Sequence, residues 1–302
     1  MATLKAGSTR VILNPSAAAG RAAGQINSVR AMLDHAWPGI DWCESRSGAH
    51  LTELCAEAAA ANYERVVVAG GDGTIHLAVR GLANTATQLG VIPLGTGNDF
   101  ARAAGLPLET EVAAKHLIEG VARPVDLGAV NGIPFCCVAG IGMDTPALEF
   151  IHSLPFAKRN IVYQAAAVKT LLTYPGCELE VELNGATVRE RVIFAAFSNT
   201  PTYAGGNPIA PTGSVFDGQL DYCLFAKRPK AALFKTFLEM RAGQHIGRDG
   251  VLSGVANKVR VSGPAPVAVT LDGELTDIRT PVEITLMPGA IQLIGATDAK
   301  RG

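Results

Sequence analysis

The chain has 302 residues, of which 48% are hydrophobic and 18% charged, and its formal net charge is −1. This length allows two domains with separate cores, and the balanced charge gives no overall positive field, so we expect no nucleic-acid partner. The first residues lack the apolar core of a secretory signal, and no apolar run reaches the roughly 18 residues that a membrane span needs, so we expect a cytoplasmic protein. The six cysteines show no CxxC spacing, which predicts free thiols rather than a zinc site or disulfides.

The first part of the chain alternates short apolar runs with helical patterns. The predicted strands are 10–15, 66–69 and 89–94, and the predicted helices follow the small-residue run 16–24 and cover 51–63 and 75–82. Such alternation is typical of a parallel sheet with helices on both faces. The ligands of such sheets bind beyond the carboxyl ends of the strands.

Glycines concentrate directly after two of these strands. One strand is followed by Gly70, Gly71, Asp72, Gly73 and Thr74, and the other by the segment 95–102. Glycines let backbone amides approach an anion closely, and a helix that starts near Thr74 adds unpaired N–H groups, so these loops predict a phosphate site. A carboxylate there needs a divalent cation or a transferable proton, which makes Asp72 a candidate for phosphoryl chemistry. A plain glycine-rich turn with Asp72 as the helix N-cap is the alternative.

Beyond residue 125 the pattern changes to short runs of period two, which predicts a β-rich domain of sandwich or barrel type. The predicted strands are 135–138, 177–183, 192–197, 220–225, 258–261, 267–271 and 282–286. Two helices, 161–174 and 231–242, interrupt them, and Asn184-Gly185 predicts a hairpin. We therefore predict an α/β domain over 1–125 and a β-rich domain over 126–302, with the last residues as candidates to pack back on the first domain.

Several short motifs follow one another along nearly the whole chain. Besides the two glycine segments, they are Val125-Asp126-Leu127-Gly128, Gly140-Ile141-Gly142-Met143-Asp144, Phe216-Asp217-Gly218 and Asp272-Gly273-Glu274. In this order they resemble the diacylglycerol kinase catalytic family, including bacterial soluble lipid kinases and, more distantly, sphingosine and ceramide kinases. The resemblance implies an N-terminal α/β domain with a parallel sheet, a C-terminal β domain and an active site in the cleft between them. It also implies ATP and Mg²⁺ as cofactors and a membrane lipid as substrate.

The resemblance assigns roles to particular residues. Asp72 matches an aspartate that the family needs for activity, and Asn98 and Asp99 match a segment at the acceptor end of the cleft. Asp272 and Glu274 match the motif that supplies the general base. Glu274 is our first choice, because a lipid hydroxyl needs a carboxylate to accept its proton near neutral pH; a surface position in a β-turn is the alternative. The residues matched to nucleotide contacts are Asn14, Gly70, Gly71, Gly73, Thr74, Gly95 and Thr96.

The chain departs from the family pattern in three places. His76 and Leu77 stand where bacterial members usually carry Asn-Glu, and we interpret His76 as a helix-surface or packing residue. Alanines replace glycines in the loop 16–20, which leaves open how closely that backbone approaches the nucleotide. Phe216 replaces the first of two adjacent aspartates that help hold a structural Mg²⁺, which leaves Asp217 as a candidate metal ligand.

The segment 150–159 places aromatic residues beside two cations. A kinase of a membrane lipid must reach the bilayer, and apolar anchors beside cations suit an anionic surface. Phe150, Leu154 and Phe156 are therefore candidates for transient contact with the inner face of the membrane, and an ordinary packed loop is the alternative. A homodimer is a further option for this chain.

Together these features predict an ATP-dependent lipid kinase that transfers the γ-phosphoryl group to a hydroxyl of diacylglycerol or a related lipid. NAD kinase shares the Gly-Gly-Asp-Gly loop, but the motifs at 96–99 and 272–274 belong to the lipid enzymes. A non-catalytic regulator that binds lipid or nucleotide is the alternative from another class. Acyl chains are bound by interchangeable apolar side chains, so the sequence does not identify the lipid.

Overall fold

The computed structural model describes residues 5–15, 22–153 and 160–298. These residues form two units. The first contains the described parts of Met1–Leu127 and Met287–Gly302 together with the short segment Ser214–Gly218, and the second contains the described parts of Gly128–Gly213 and Gln219–Leu286. The first unit is therefore assembled from three separate stretches of chain.

The first unit is built on parallel strands with helices between them. Its strands are β1 (Lys5–Leu13), β2 (Asp41–Glu44), β3 (Tyr63–Gly70), β4 (Gln88–Pro93) and the end of β15 (Val282–Ile294), and its helices are α1 (Ala22–Ala36), α2 (Gly48–Ala60), α3 (Asp72–Leu82), α4 (Asp99–Ala103) and α5 (Thr110–Glu119). The strand order is β15-β4-β3-β1-β2, and every one of these pairs is parallel. The predicted parallel sheet is confirmed.

The first unit has a buried core between its sheet and its helices, and its strand order indicates where a ligand binds. Val67 and Ile92 on the sheet pack with Leu33 of α1 and Leu117 of α5 in one buried cluster. The strand order reverses between β1 and β3, and open α/β sheets bind ligands at such a switch point, beyond the carboxyl ends of the strands. Asn14 follows β1 directly, and the Gly-Gly-Asp-Gly loop follows β3, so both lie at the switch point.

The second unit is rich in antiparallel strands. Its strands are β5 (Ala122–Val130, which starts in the first unit), β6 (Ile133–Phe135), β7 (Val138–Gly142), β8 (Cys177–Leu183), β9 (Ala186–Ser198), β10 (Asp221–Ala226), β11 (Val251–Val255), β12 (Lys258–Ser262), β13 (Ala268–Leu271), β14 (Glu274–Arg279) and the start of β15, and its helices are α6 (Asp144–His152), α7 (Asn160–Thr173) and α8 (Lys230–Arg241). The long strand β9 pairs with β8 in its first half and lies between β7 and β10 in its second half. The Asn184-Gly185 hairpin is confirmed, with φ of 50° and 81° at the two turn residues.

The strand predicted over 135–138 is wrong. Cys136 and Cys137 form the link between β6 and β7. The reason is that their backbone N–H groups donate to the carboxylate of Asp272 rather than to a neighbouring strand.

Two predicted helices are displaced. The helix predicted over 51–63 begins earlier, at Gly48, because the side chain of Ser47 caps it by accepting from His50 N at 3.2 Å. It ends at Ala60, and Asn62, with a φ of 59°, turns the chain into β3. Helix α3 begins at Asp72, ahead of the start predicted near Thr74.

Phe150, one of the three candidates for membrane contact, lies near the end of helix α6. Its ring is half-buried against a cluster that includes Leu148 and Ile151, and Lys169 Nζ lies 3.5 Å from the ring centroid. The other two candidates, Leu154 and Phe156, lie outside the described residues. Among the helices of the described ranges, none combines the length and the apolar character that crossing a bilayer requires.

Candidate active site

Two loops that follow neighbouring parallel strands meet at a pair of glycines. Gly70, at the end of β3, pairs with Pro93 of β4. A Cβ added at Gly71 would lie 3.0 Å from Gly95 Cα, and one added at Gly95 would lie 2.7 Å from Gly71 Cα. Only glycine at both positions lets the two backbones come this close. The two loops that the sequence predicts to bind phosphate therefore lie side by side.

Asp72 lies at the start of one helix and contacts the start of the next. It is in the first turn of α3, whose N-cap is Gly71, so the alternative that made Asp72 the N-cap is wrong. Its Oδ1 accepts a hydrogen bond from Phe100 N, in α4, at 3.1 Å. Negative charge is stabilised at a helix N-terminus, and Gly73 in the same turn leaves the backbone uncovered by a side chain. A half-buried carboxylate thus stands next to the glycine pair.

Two side chains matched to nucleotide contacts bind each other within the first unit. Asn14 Nδ2 donates to Thr74 Oγ1 at 3.2 Å, across the switch point between β1 and β3. Thr74 is buried and packs on Gly70, where an added Cβ would lie 2.2 Å from Thr74 Oγ1. This pair holds the shape of the loop and points to backbone amides as the donors to an anion. His76 is buried, so the option that places it on the helix surface is wrong, and a packing role stays a prediction.

Asn98 closes the second loop. It has a φ of 52°, and its side chain accepts from Gly95 N at 3.1 Å and donates to Gly95 O at 2.8 Å. Thr96, in the turn between these two residues, is exposed. Asn98 and Asp99 are both buried. The structure thus gives Asn98 a loop-holding role, and a contact of Asn98 or Asp99 with the acceptor stays a prediction.

Asp126 joins the three chain stretches of the first unit. It is buried in β5, where its Oδ2 accepts from Gly218 N at 2.9 Å and its Oδ1 accepts from Gly289 N at 2.7 Å. Its own N–H donates to Val215 O at 2.9 Å. Hydrogen bonds to both oxygens offset the cost of burying a carboxylate.

The residues around Asp126 do not fit the structural Mg²⁺ that the resemblance implies. Phe216 offers a ring instead of an oxygen, and Arg123 Cζ lies 5.2 Å from the centroid of that ring. A guanidinium repels a cation, both oxygens of Asp126 accept amide hydrogen bonds, and Asp217 is exposed. We derive no role for a metal at Asp217.

The Asp-Gly-Glu motif is a two-residue turn between β13 and β14. Asp272 and Gly273 have φ of 52° and 79°. The carboxylate of Asp272 accepts hydrogen bonds from the three backbone N–H groups of residues 136–138, at 2.6–3.0 Å. Glu274 is exposed at the start of β14. The carboxylate of Asp272 therefore holds the link between β6 and β7, whereas Glu274 reaches solvent.

Another carboxylate of the second unit, Asp144, lies near this turn. Its Oδ2 accepts from Tyr203 Oη at 2.6 Å and from Thr270 Oγ1 at 3.4 Å. Burial raises the pKa of Asp144 to about 6, although these two hydrogen bonds lower it. A Cβ added at Gly273 would lie 3.9 Å from Tyr203 Oη, so this hydroxyl connects Asp144 with the turn. Burial, followed by the charge of Asp144, holds the pKa of Tyr203 well above its ordinary value, so Tyr203 remains a donor.

No role for Asp126, Asp144 or Tyr203 follows from the sequence alone. Asp126 does carry a signal, because a carboxylate between Val125 and Leu127 in an apolar strand needs buried partners. Asp144 carries a weaker one, as the acidic residue that ends an apolar, glycine-containing run. Tyr203 carries no comparable signal, since its partners are distant in the sequence.

Two family models match the chain. Residues 8–130 match the diacylglycerol kinase catalytic domain, and residues 137–295 match the YegS C-terminal NAD kinase beta sandwich-like domain. A diacylglycerol kinase of Bacillus subtilis (strain 168) is 34% identical over 230 residues, which cover 74% of this chain and 75% of the relative. A diacylglycerol kinase of Mycobacterium tuberculosis (strain H37Rv) is 31% identical over 297 residues, which cover 95% of each chain.

Two crystal structures from Bacillus anthracis (strain Sterne) share the fold. A diacylglycerol kinase matches with a TM-score of 0.75 and 22% identity, over 98% of this chain and 99% of that one. Another chain from the same organism matches with a TM-score of 0.82 and 24% identity, over the same shares. These structures support the fold alone, an α/β domain followed by a β-sandwich. The sequence matches also identify the family. On those matches, the chain belongs to the diacylglycerol kinase family and is a lipid kinase of that type.

Proposed function

We propose that this lipid kinase transfers the γ-phosphoryl group of ATP to the hydroxyl of a diacylglycerol-like lipid. The relatives in B. subtilis and M. tuberculosis are named diacylglycerol kinases. The observation that carries the proposal is the close approach of Gly71 and Gly95 with Asp72 beside them. This arrangement offers backbone amides to phosphates and a carboxylate to the chemistry of their transfer.

The nucleotide end of the reaction lies in the loops after β3 and β4. Backbone N–H groups around Gly71 and at the start of α3 bind the phosphates, and the Asn14–Thr74 hydrogen bond keeps the loop in shape. Asp72 is the carboxylate of this loop that would hold Mg²⁺. The ion, when bound with ATP, neutralises the charge of the phosphates.

The acceptor end requires a general base, and we assign that role to Glu274. The assignment follows from the turn, because Asp272 uses both oxygens to hold residues 136–138, whereas Glu274 is exposed. Glu274 takes the proton of the lipid hydroxyl, and the hydroxyl oxygen attacks the γ-phosphorus. The bond between that phosphorus and the bridging oxygen then breaks, and ADP leaves.

NAD kinase activity is the second activity to test, because the family model that matches residues 137–295 describes an NAD kinase-like β-sandwich. Both reactions transfer the γ-phosphoryl group of ATP to a hydroxyl. They differ in the acceptor, so the identity of the labelled product separates them.

The test is a transfer assay with γ-labelled ATP and Mg²⁺. Diacylglycerol, phosphatidylglycerol and sphingosine are offered in mixed micelles, and NAD is offered in buffer. We expect label in the lipid extract with diacylglycerol, and label in NAD alone would replace the proposal.

Asp72→Asn provides the matched control. It should keep the circular dichroism melting curve of the wild type, because Asp72 lies in a loop-to-helix turn, and it should lose the activity. Retention of more than about a tenth of the wild-type kcat, a barrier change under roughly 1.4 kcal/mol, would exclude a central role for Asp72.

A further inference from the structure

Helix α8 presents two large apolar side chains to solvent. Leu233 is its buried anchor, and the helix packs beside α7. Phe234 is 43% exposed and Leu238 is 51% exposed. Because they are four residues apart, they lie next to each other on one face of the helix.

Cationic side chains flank this apolar pair. In a helix with 3.6 residues per turn, Lys230 and Arg241 fall on one side of Phe234 and Leu238, and Lys235 falls on the other. All three cations are exposed. We call these five residues the α8 face.

The positive charge extends along the neighbouring chain. Residues 227–249 contain six lysines and arginines but two acidic residues, whereas the whole chain has a formal net charge of −1. Glu239, one of the two acids, is half-buried and lies within 3.6 Å of Arg248 and 3.9 Å of Lys235. Ile246, 47% exposed, is a third apolar side chain in the segment that follows the helix. This segment is thus basic and partly apolar, whereas the protein as a whole is slightly acidic.

We propose that the α8 face docks the protein on an anionic lipid bilayer. Phe234 and Leu238 enter the boundary between headgroups and acyl chains, and the flanking cations contact lipid phosphates. The inference rests on the proposed function, because a lipid kinase must reach a substrate whose acyl chains remain in the bilayer.

The composition of the face argues against two other occupants. A second copy bound through the same face by two-fold symmetry would place these cations against their own equivalents. A nucleic acid would use the cations but would leave the two apolar side chains without an apolar partner.

The test is cosedimentation of the full chain with vesicles of phosphatidylcholine, with and without about one-third phosphatidylglycerol. The wild type should bind the anionic vesicles and lose binding as salt rises. Phe234→Ser with Leu238→Ser should weaken binding by about tenfold for each side chain. Lys230→Gln with Lys235→Gln and Arg241→Gln should weaken it and remove most of its salt dependence.

Val112→Ser is the matched control, because Val112 is a 47% exposed apolar residue of helix α5 in the first unit. It should bind vesicles as the wild type does. Absence of wild-type binding, or equal binding by the double serine variant, would overturn the proposal. The proposal would also be overturned if light scattering showed that the wild type is a dimer and the double serine variant a monomer. It would likewise be overturned if the wild type bound a DNA duplex and the double serine variant lost that binding to a comparable extent.

A second readout separates this inference from the proposed function. The serine variant should phosphorylate a short-chain, water-dispersed diacylglycerol at the wild-type rate and should lose activity on long-chain substrate in vesicles. Equal loss on both substrates would contradict docking. If the wild type phosphorylates neither substrate, the proposed function fails, while vesicle binding still decides whether the α8 face docks.

Discussion

At the scale of single residues, the turn between β13 and β14 gives two carboxylates different tasks. Glu274→Gln should lower kcat by about 10²–10⁴, the usual contribution of a general base, and should keep near-normal affinity for ATP because the base acts on the acceptor. Some activity should return as pH rises, since hydroxide partly replaces the base. Measuring kcat against pH, with nucleotide affinity in parallel, checks this, and a wild-type kcat would place the base elsewhere.

Asp272→Asn changes the other carboxylate of this turn, and we expect it to lower the stability of the protein. The amide has one oxygen to offer where the carboxylate accepts three backbone hydrogen bonds from residues 136–138. The free energy of unfolding should fall by about 2–3 kcal/mol. Urea unfolding, with hydrogen exchange at residues 136–138, measures the effect. Unchanged stability combined with lost turnover would instead make Asp272 the base.

Asp144 should make stability depend on pH. Its pKa is about 6 in the folded protein against an ordinary value of 3.8. Below about pH 4, Asp144 is protonated in both the folded and the unfolded state. Between about pH 4 and 6, the folded state keeps this proton whereas the unfolded chain has lost it. The free energy of unfolding therefore falls as pH rises through this window. Over this window the free energy of unfolding of the wild type should fall by at most about 3 kcal/mol relative to that of Asp144→Asn. This figure is an upper limit because solvent reaches part of the Asp144 side chain. Urea titrations of both proteins at several pH values test this, and a pH-independent difference would contradict it.

At the scale of elements, the two glycine loops are fixed by the contact of their backbones. Gly95→Ala should be more harmful than Gly71→Ala, because its Cβ would lie 2.6 Å from Asn98 Oδ1 as well as 2.7 Å from Gly71 Cα. We expect nucleotide affinity to fall more than tenfold in Gly95→Ala, while the melting temperature changes little because the contact lies in loops. Isothermal titration with an unreactive ATP analogue compares the two variants. Wild-type affinity in Gly95→Ala would show that the spacing of the loops does not matter for binding.

The elements that the sequence predicts are those with local signals. The β-branched run at 66–68 and the glycines after it identify β3 and its loop without reference to any distant residue. The failure at Cys136 and Cys137 has the opposite cause, since their amides are taken by Asp272, far along the chain. The pairing of Asp144 with Tyr203 is likewise non-local. Periodicity describes neighbours in sequence, so it does not encode such partners.

At the scale of the whole molecule, Asp126 is the point where the three stretches of the first unit are tied together. Asp126→Ala removes the acceptor of two part-buried N–H groups, those of Gly218 and Gly289. Each bond to a charged group contributes about 1.5–3 kcal/mol, so the free energy of unfolding should fall by about 3 kcal/mol or more. Hydrogen exchange at the two glycine amides should accelerate. Protection equal to the wild type would mean that other contacts hold these stretches.

The same region provides a test with metal. Because Phe216 offers a ring where an oxygen ligand would be needed, and the guanidinium of Arg123 lies over that ring, the first unit should not depend on a bound divalent cation. The melting temperature without nucleotide should be the same with Mg²⁺ and with EDTA. A clear rise with Mg²⁺ would show a structural ion in this protein after all.

The position of β15 has a consequence for the synthesis of the protein. Gln292 and Leu293 pair with Gln88 and Leu89, so β4 gains its outer neighbour from a strand made much later. At about 5–20 residues per second, the ribosome leaves that edge of β4 uncovered for on the order of ten seconds or more. The first unit to emerge is thus the last to be completed. During that interval its open strand edge is a site for a chaperone, or for a neighbouring nascent chain, to pair with.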